Sequence, residues 1–323
     1  MTTTQNSPLV SFVIICYNTP IAMLKTCLDS ILALSLTEDE REIILVDDGS
    51  EISPIDELNA YQKQIIYIRK QNGGASTSRN TGMNCANGEY IQFIDADDYL
   101  IPQQYEHCIE IIKQHHNVDL VQFDFTSGQA TNKLLTDSTP VSGTEYLQNN
   151  NIFGTVWSML FKKSIRGTLA FTPGIVCVED EEFKPQLVIR ANNVVKTSAQ
   201  AYFYRVNPDS ITHDDNMTQR HLDDHLKIIQ NLSQIAQTLP IPEHNAMQRR
   251  VAQLTMDYIY KIITLTHSRQ ELFKRIDALK TYGLFPLPNK NYTTKYIWFR
   301  KVSGTKAGLL LLLKMLPMMG IEK

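Results

Sequence analysis

The sequence predicts an α/β fold: a mostly parallel central sheet flanked by helices, with a helical appendage at its carboxyl end. Three observations predict it. Short apolar runs lead repeatedly through polar turns into helical patterns, the turns carry side chains able to hold a ligand, and strand signals cease beyond about residue 216. The expected division is a domain over residues 1–215 and a helical region over 216–323 that ends in a basic, aromatic tail.

Residues 9–16, LVSFVIIC, form a continuous apolar run before Tyr17, Asn18 and Pro20. The spacing of Ile21, Leu24, Leu28, Ile31 and Leu32 then predicts a helix. The unit recurs at EIILV (42–46) before DDGS, QIIYI (64–68) before QNGG, and EYIQFI (89–94) before DADD. VDLVQFDF (118–125) is a fifth strand, and the polar stretch from Thr126 to Thr139 reads as a surface loop or hairpin. Helix-like GTEYLQNN, TVWSMLF (155–161) and the acidic run VEDEEF (178–183) follow. NVVKTSA and AYFYRV then read as a strand pair. The helical region comprises HLDDHLKIIQNLSQIAQ, AMQRRVAQLTMDYIYKIITLT and SRQELFKRIDALKTYG.

Composition narrows the function. A net charge of −3 on 323 residues gives no general attraction to nucleic acid, so no nucleic-acid partner is expected. Five scattered cysteines, with no C-x-x-C, form neither a disulfide framework nor a zinc site and fit a reducing cytosol. The first residues lack the basic start and apolar core of a signal peptide, and no apolar run approaches the ~18 residues of a membrane span. A cytoplasmic protein is expected, attached peripherally to the inner face of the membrane if its tail binds there. Residues 278–321 carry seven Lys or Arg, no Asp or Glu, and Tyr292, Tyr296, Trp298 and Phe299. That mixture suits an anionic membrane surface; a packed terminal helix with solvated lysines is the alternative.

The densest chemistry lies in YIQFIDADDY (90–99), where a strand runs into Asp95, Asp97 and Asp98. Carboxylates this close raise one another's pKa unless a cation or donors neutralise them. Hard oxygen ligands at a strand end suit Mn²⁺ or Mg²⁺ carrying a diphosphate. Asp is also a common turn and cap residue, and Asp98 before the helix from about Pro102 fits that role as well. In open α/β sheets, ligands bind at the carboxyl ends of the strands. Tyr17 and Asn18, Asp47 and Asp48, Asn72 to Gly74, and Asp95 to Asp98 all fall there. Gly73 and Gly74 permit close backbone approach and open a helix whose amino end favours phosphate, or they form a simple turn. Neither the P-loop nor the dinucleotide-binding glycine motif is present.

The order VSFVIICYN, EIILVDDGS, NGGASTSRNTGMNCANGEYIQFIDADDYL and VEDEEF resembles the inverting family 2 glycosyltransferases with the GT-A nucleotide-sugar fold, over roughly residues 9–213. The resemblance implies roles by position. Tyr17 would flank the nucleotide base, Asp48 would accept a hydrogen bond from it, and Asp95 would contact the ribose. Asp97 would ligate the metal, and Arg79 would face the phosphates or the donor sugar. Asp180 of the pair Glu179–Asp180 would be the general base, and His213 a further metal ligand. The implied donor is a UDP-sugar, and the acceptor a glycan or lipid-linked hydroxyl in bacterial cell-surface polysaccharide assembly. Ile15 and Cys16 depart from the proline and small or polar residue usual before this tyrosine, which leaves the nucleotide's identity less secure. His221 and His225, four apart on a helix, are expected on a solvated face. A nucleotide-sugar-binding subunit without turnover is the alternative function.

Overall fold

The apolar runs become strands because a parallel sheet covered by helices buries both faces of each strand. A computed structural model describes residues 7–131, 134–206 and 217–317. One mixed sheet contains β1 (Val10–Cys16), β2 (Arg41–Asp47), β3 (Ile65–Arg69), β4 (Tyr90–Asp95), β5 (Tyr99–Leu100), β6 (Leu120–Thr126), β7 (Met159–Lys162) and β8 (Val194–Phe203). Their spatial order is β3-β2-β1-β4-β7-β6-β8-β5. β1 pairs in parallel with β2 and β4, Val10 lying opposite Arg41 and Tyr90, and β2 pairs in parallel with β3. β7 is antiparallel to both β4 and β6, whereas β6 and β8 are parallel. Two reversals cancel, so β4, β6 and β8 point the same way and end along one edge of the sheet.

The helices with this sheet are α1 (Ile21–Leu32), α2 (Gly74–Cys85), α3 (Pro102–Gln114), α4 (Gly143–Asn149), α5 (Lys163–Arg166) and α6 (Glu179–Val188). Alternation along β1 assigns them to faces. Phe12 and Ile14 join Leu24 and Leu28 of α1 and Tyr105 and Ile109 of α3 in one core. Val13 faces the other way, against Gly82 of α2. Its neighbour in register, Phe93, packs there with Phe161, Phe171 and Phe183.

Two expectations change here. The expected pair NVVKTSA and AYFYRV is one ten-residue strand, β8, whose register against β6 shifts on either side of Asp124. That irregularity takes up the residues that break the apolar pattern. Of the two readings of the polar stretch after β6, the loop holds and the hairpin does not: among the described residues it runs beside β8, bridged from Asp137 to Thr197 and joined by hydrogen bonds of Thr131 with Gln200, Thr136 with Ser198 and Ser138 with Lys196.

The chain divides into two compact units, Met1–Tyr146 with Phe153–Pro208, and Leu147–Ile152 with Asp209–Lys323. The second contains α7 (Thr218–Thr238), α8 (Ile241–Thr266), α9 (Arg269–Thr281), α10 (Thr294–Ser303) and α11 (Lys306–Met315). Leu222, Ile229 and Leu232 of α7 are buried, and His225 falls in the same stripe at helical spacing. The expected solvated face is therefore wrong for His225: it is buried edge-on to the Tyr258 ring, 5.5 Å between centroids. Burial first, and then the Lys261 charge, drives its pKa well below the ordinary histidine value. Among the described residues no helix is long and apolar enough to cross a membrane.

Gly82 gives a test of this packing. An alanine inside a helix ordinarily stabilises by about 1 kcal/mol relative to glycine. Here the added Cβ would overlap the Val13 side chain. Gly82→Ala is therefore expected to destabilise the sheet unit by ~1–3 kcal/mol, measured by denaturant unfolding.

Candidate active site

The polar turns at the carboxyl ends of β1, β2, β3 and β4 lie side by side in the spatial order β3-β2-β1-β4. At the end of β1, Asn18 adopts a left-handed conformation (φ 49°). Its amide donates to Ser50 Oγ at 2.9 Å, and its side-chain oxygen accepts from the Glu51 amide at 2.9 Å. Tyr17, beside it, stays half exposed, with its ring free to meet a ligand.

The two acids after β2 do different work. Asp47 is fully buried and accepts from the Ser50 amide at 2.8 Å and the Tyr67 hydroxyl at 2.7 Å. Burial alone would raise its pKa; the Ser50 and Tyr67 donors and the Arg69 charge outweigh it and hold the carboxyl below its ordinary value. Asp48 accepts from the Gly73 amide at 3.0 Å, the Gly74 amide at 2.7 Å and the Lys70 ammonium. This corrects the reading of the double glycine. The amino end of α2 is already capped by a carboxylate from within the chain, because Asp48 satisfies the amides a phosphate would otherwise take. Gly49 (φ 76°) is required directly after these acids, since a Cβ there would press on the Asn72 amide and the Lys70 carbonyl.

Arg79, on the buried side of α2, draws the remaining acids together. Its Nη1 donates to Glu179 Oε1 at 2.6 Å and Asp180 Oδ1 at 3.1 Å, and its Nη2 donates to Asp95 Oδ1 at 3.1 Å. The guanidinium also lies 5.5 Å from the Phe171 ring centre. Burial disfavours its charge, but Asp180, Asp95 and Glu179 raise its pKa still further. Asp180 is held from its other side by the Val156 amide, 3.1 Å from Oδ2. Burial pushes the Asp180 carboxyl above its ordinary range; Arg79 opposes the shift, while Glu179 and Asp95 add to it. The acids enter through a strained residue, since Val178 before α6 has φ 59° and ψ 23°, which a β-branched side chain rarely adopts.

The DADD turn also divides its labour. Asp98 is buried and accepts from the Tyr202 hydroxyl at 2.8 Å and the Arg205 amide at 2.7 Å. Burial, then the Asp95 charge, raises its pKa to about 8 despite these donors. It ties the turn to β8 and does not cap α3, whose cap residue is Ile101. Asp97 is half buried, and its carboxylate makes no ion pair among the described residues. Burial and the Asp95 charge raise its pKa.

Asp97 and Asp95 are the side chains that could hold a divalent cation. Among the described residues no three His, Cys, Asp or Glu side chains form a metal-holding group. One or two carboxylates with the remaining positions left to diphosphate and water is nevertheless the donor set Mg²⁺ commonly takes, and the Asp97 charge, which Arg205 offsets only in part, fits it. His213 lies outside the described residues.

Sequence reasoning missed Lys70 and the Val156 amide. Lys70 directly follows β3 and could have been found by the strand-end rule; the Val156 amide carries no sequence signal.

The fold and these strand-end acids define a GT-A-like nucleotide-sugar domain. Residues 11–171 match the model of glycosyl transferase family 2, and the chain belongs to that family. It is 31% identical to the uncharacterized glycosyltransferase EpsJ of Bacillus subtilis over 221 residues, 64% of this chain and 63% of EpsJ. It is 27% identical to a poly(ribitol-phosphate) beta-glucosyltransferase of Bacillus spizizenii over 62% of this chain and 32% of that protein. The matched segments thus span less than two thirds of either relative. Among solved structures, S. aureus TarS 1–349 in complex with UDP-GlcNAc gives a TM-score of 0.56 at 16% identity, covering 85% of this chain and 92% of that one. The mannosyltransferase PcManGT of Pyrobaculum calidifontis, in complex with GDP-Man and Mn²⁺, gives 0.55 at 13% identity over 98% and 89%. These likenesses establish the shared fold.

Replacing Arg79 tests the assembly of the acids. Removing one partner of a buried ion pair leaves uncompensated charge and costs ~3–5 kcal/mol. Arg79→Met is expected to lower stability by about that amount at pH 8, by denaturant unfolding without added metal. The loss should shrink as pH falls, because Asp180, already raised in pKa, takes up a proton and sheds its charge.

Proposed function

We propose that this protein is a metal-assisted, inverting glycosyltransferase that moves a sugar from a nucleotide diphosphate donor, a UDP-sugar, to a hydroxyl of a cell-surface glycan or lipid-linked acceptor. The observation that carries the reading is the Asp180 carboxylate, fixed between the Val156 amide and Arg79 and joined through Arg79 to Asp95 at the end of β4. A base is thereby held beside the acids assigned to the donor diphosphate. Family membership and the UDP-GlcNAc complex of TarS support the donor class, and the poly(ribitol-phosphate) glucosyltransferase supports a cell-surface polymer as acceptor.

In this reading Tyr17 stacks on the base from the end of β1, and Asp48 fixes the loop that borders it. Asp95 meets the ribose, and Asp97 holds the ion, Mn²⁺ as in the PcManGT complex or Mg²⁺. When bound, that ion offsets the charge of the leaving diphosphate. The acceptor oxygen bonds to the anomeric carbon as the carbon–oxygen bond to phosphate breaks, its electron pair leaving on the phosphate oxygen. Asp180 accepts the acceptor proton, which a carboxylate does well because the hydroxyl becomes acidic only as it attacks. Arg79 and Glu179 position Asp180.

Placement at a membrane surface draws on unit two. Lys295, Trp298 and Lys301 follow one another three apart on the exposed face of α10, and Leu311, Lys314 and Met315 are exposed on α11. Sedimentation with vesicles of phosphatidylglycerol and phosphatidylcholine is expected to pull the protein down, and Trp298→Ala with Lys301→Glu to weaken this several-fold. Equal recovery with both proteins would remove the membrane from the proposal.

Activity is tested by incubating the protein with Mn²⁺ and UDP-, GDP- and dTDP-sugars and measuring released nucleoside diphosphate. Release from a UDP-sugar is expected, lost with a chelator or in Asp97→Ala. In transfer assays Asp180→Asn should lose about 10²–10⁴-fold in kcat. Binding of UDP without release or transfer would favour the silent subunit. Because the Asp180 pKa is raised, kcat/KM should fall as pH drops through a value above the ordinary carboxylate range, the base being protonated below it. A limb near pH 4 would remove Asp180 from the role.

A further inference from the structure

The carboxyl ends of β6 and β8 carry an aromatic group that nothing above uses. Trp157 stacks between Tyr202 and Tyr204, with centroids 4.3 and 5.8 Å apart and planes within 15° and 13°. Phe125 stands edge-on to Trp157 at 4.9 Å and to Tyr204 at 6.3 Å. A group assembled only for the core would be sealed. This one is not: Phe125 is 39% exposed and Tyr204 half buried. Neither the Trp157 indole N–H nor the Tyr204 hydroxyl makes a hydrogen bond among the described residues, although such polar tips usually find partners when buried.

Both ends of the group are tied to the reaction residues. Tyr202 donates to Asp98 and accepts from the Asp95 amide, 3.1 Å away. Trp157 directly follows Val156, whose amide holds Asp180. Tyr204 feels the charges of Asp98, Asp97 and Asp95, which with burial raise its pKa. Gln92 of β4 braces Trp157 by donating to its carbonyl at 2.7 Å.

The sheet order decides what the surface takes. Tyr17, Asp48 and Lys70 end β1, β2 and β3 on one side of β4, whereas Phe125 and Tyr204 lie on the other side, beyond β7. A nucleotide base served by Tyr17 therefore leaves this surface to the second substrate. Exposed ring surface on Phe125 and Tyr204, beside the unpartnered Tyr204 hydroxyl, matches a pyranose, which offers an apolar C–H face and a rim of hydroxyls. We infer that Phe125 and Tyr204, with the buried Trp157 ring stacked behind them, form a sugar-ring platform that seats the accepting residue of the glycan with its hydroxyl toward Asp180. The inference rests on the transferase reading but makes its own demand, that a pyranose bind here.

The test uses the full chain in a Trp298→Phe background, which leaves Trp157 as the sole tryptophan. Methyl pyranosides of glucose, galactose, mannose and N-acetylglucosamine are titrated while Trp157 fluorescence is followed, with and without UDP and Mn²⁺. One or more should perturb it saturably, and Phe125→Ala or Tyr204→Ala should weaken that binding about tenfold, with Phe125→Tyr restoring it. Acceptor-free hydrolysis of the donor is measured alongside in the Trp298→Phe protein. No response to any pyranoside, or equal affinity in the alanine variants, would overturn the platform. Absent hydrolysis with pyranoside binding intact would instead count against the transferase reading.

Discussion

One buried arginine organises the chemistry of this protein. Arg79 reaches from α2 to Asp95 at the end of β4 and to Glu179 and Asp180 at the start of α6, joining positions 16, 100 and 101 residues away in sequence. Three carboxylates could not stand this close without such a cation, since each would push the others toward protonation. The lone positive charge also leaves a negative surplus, and burial keeps Asp180 raised in pKa even so. A carboxylate held partly against its own charge takes a proton readily, which suits a general base.

The rest of the site follows from what surrounds that fork. Asp47 and Asp98 are buried fixtures, satisfied by donors from their own neighbourhoods, so the turns after β2 and β4 are rigid. Asp48 spends its oxygens on Lys70 and the amides opening α2. What remains available is Tyr17, the Asp95–Asp97 edge and the aromatic surface beyond β7. Acids satisfied within the chain and acids left open to a ligand thus lie in the same few turns, and which is which depends on donors supplied from other elements.

The sheet was legible because its strands are continuous apolar runs, and the strand-end rule placed Tyr17, Asp48 and Asp95 at the carboxyl ends of β1, β2 and β4, where they lie. The helices of the second unit were legible from their periodicity. Less visible was anything set by distant partners. The antiparallel entry of β7 between β4 and β6 leaves no mark on MLFK, and the bulge against β6 made β8 read as two strands. His225 carries a polar name at an apolar position, and only packing against Tyr258 reveals which face it serves. Arg79 was singled out by motif, but its three partners come from a strand end and a helix start that no spacing relates. The aromatic group was split among three sequence segments, each ordinary by itself.

The central claim is that Asp97 and the Arg79-linked acids form a donor-diphosphate site that a divalent ion completes. Calorimetric titration of UDP into the protein, with Mn²⁺ and with chelator, and repeated on Asp97→Ala, addresses it most directly. The account predicts UDP binding that is strong only with Mn²⁺ and that loses its metal dependence in the variant. Equal UDP affinity with and without metal, unchanged by Asp97→Ala, would contradict it.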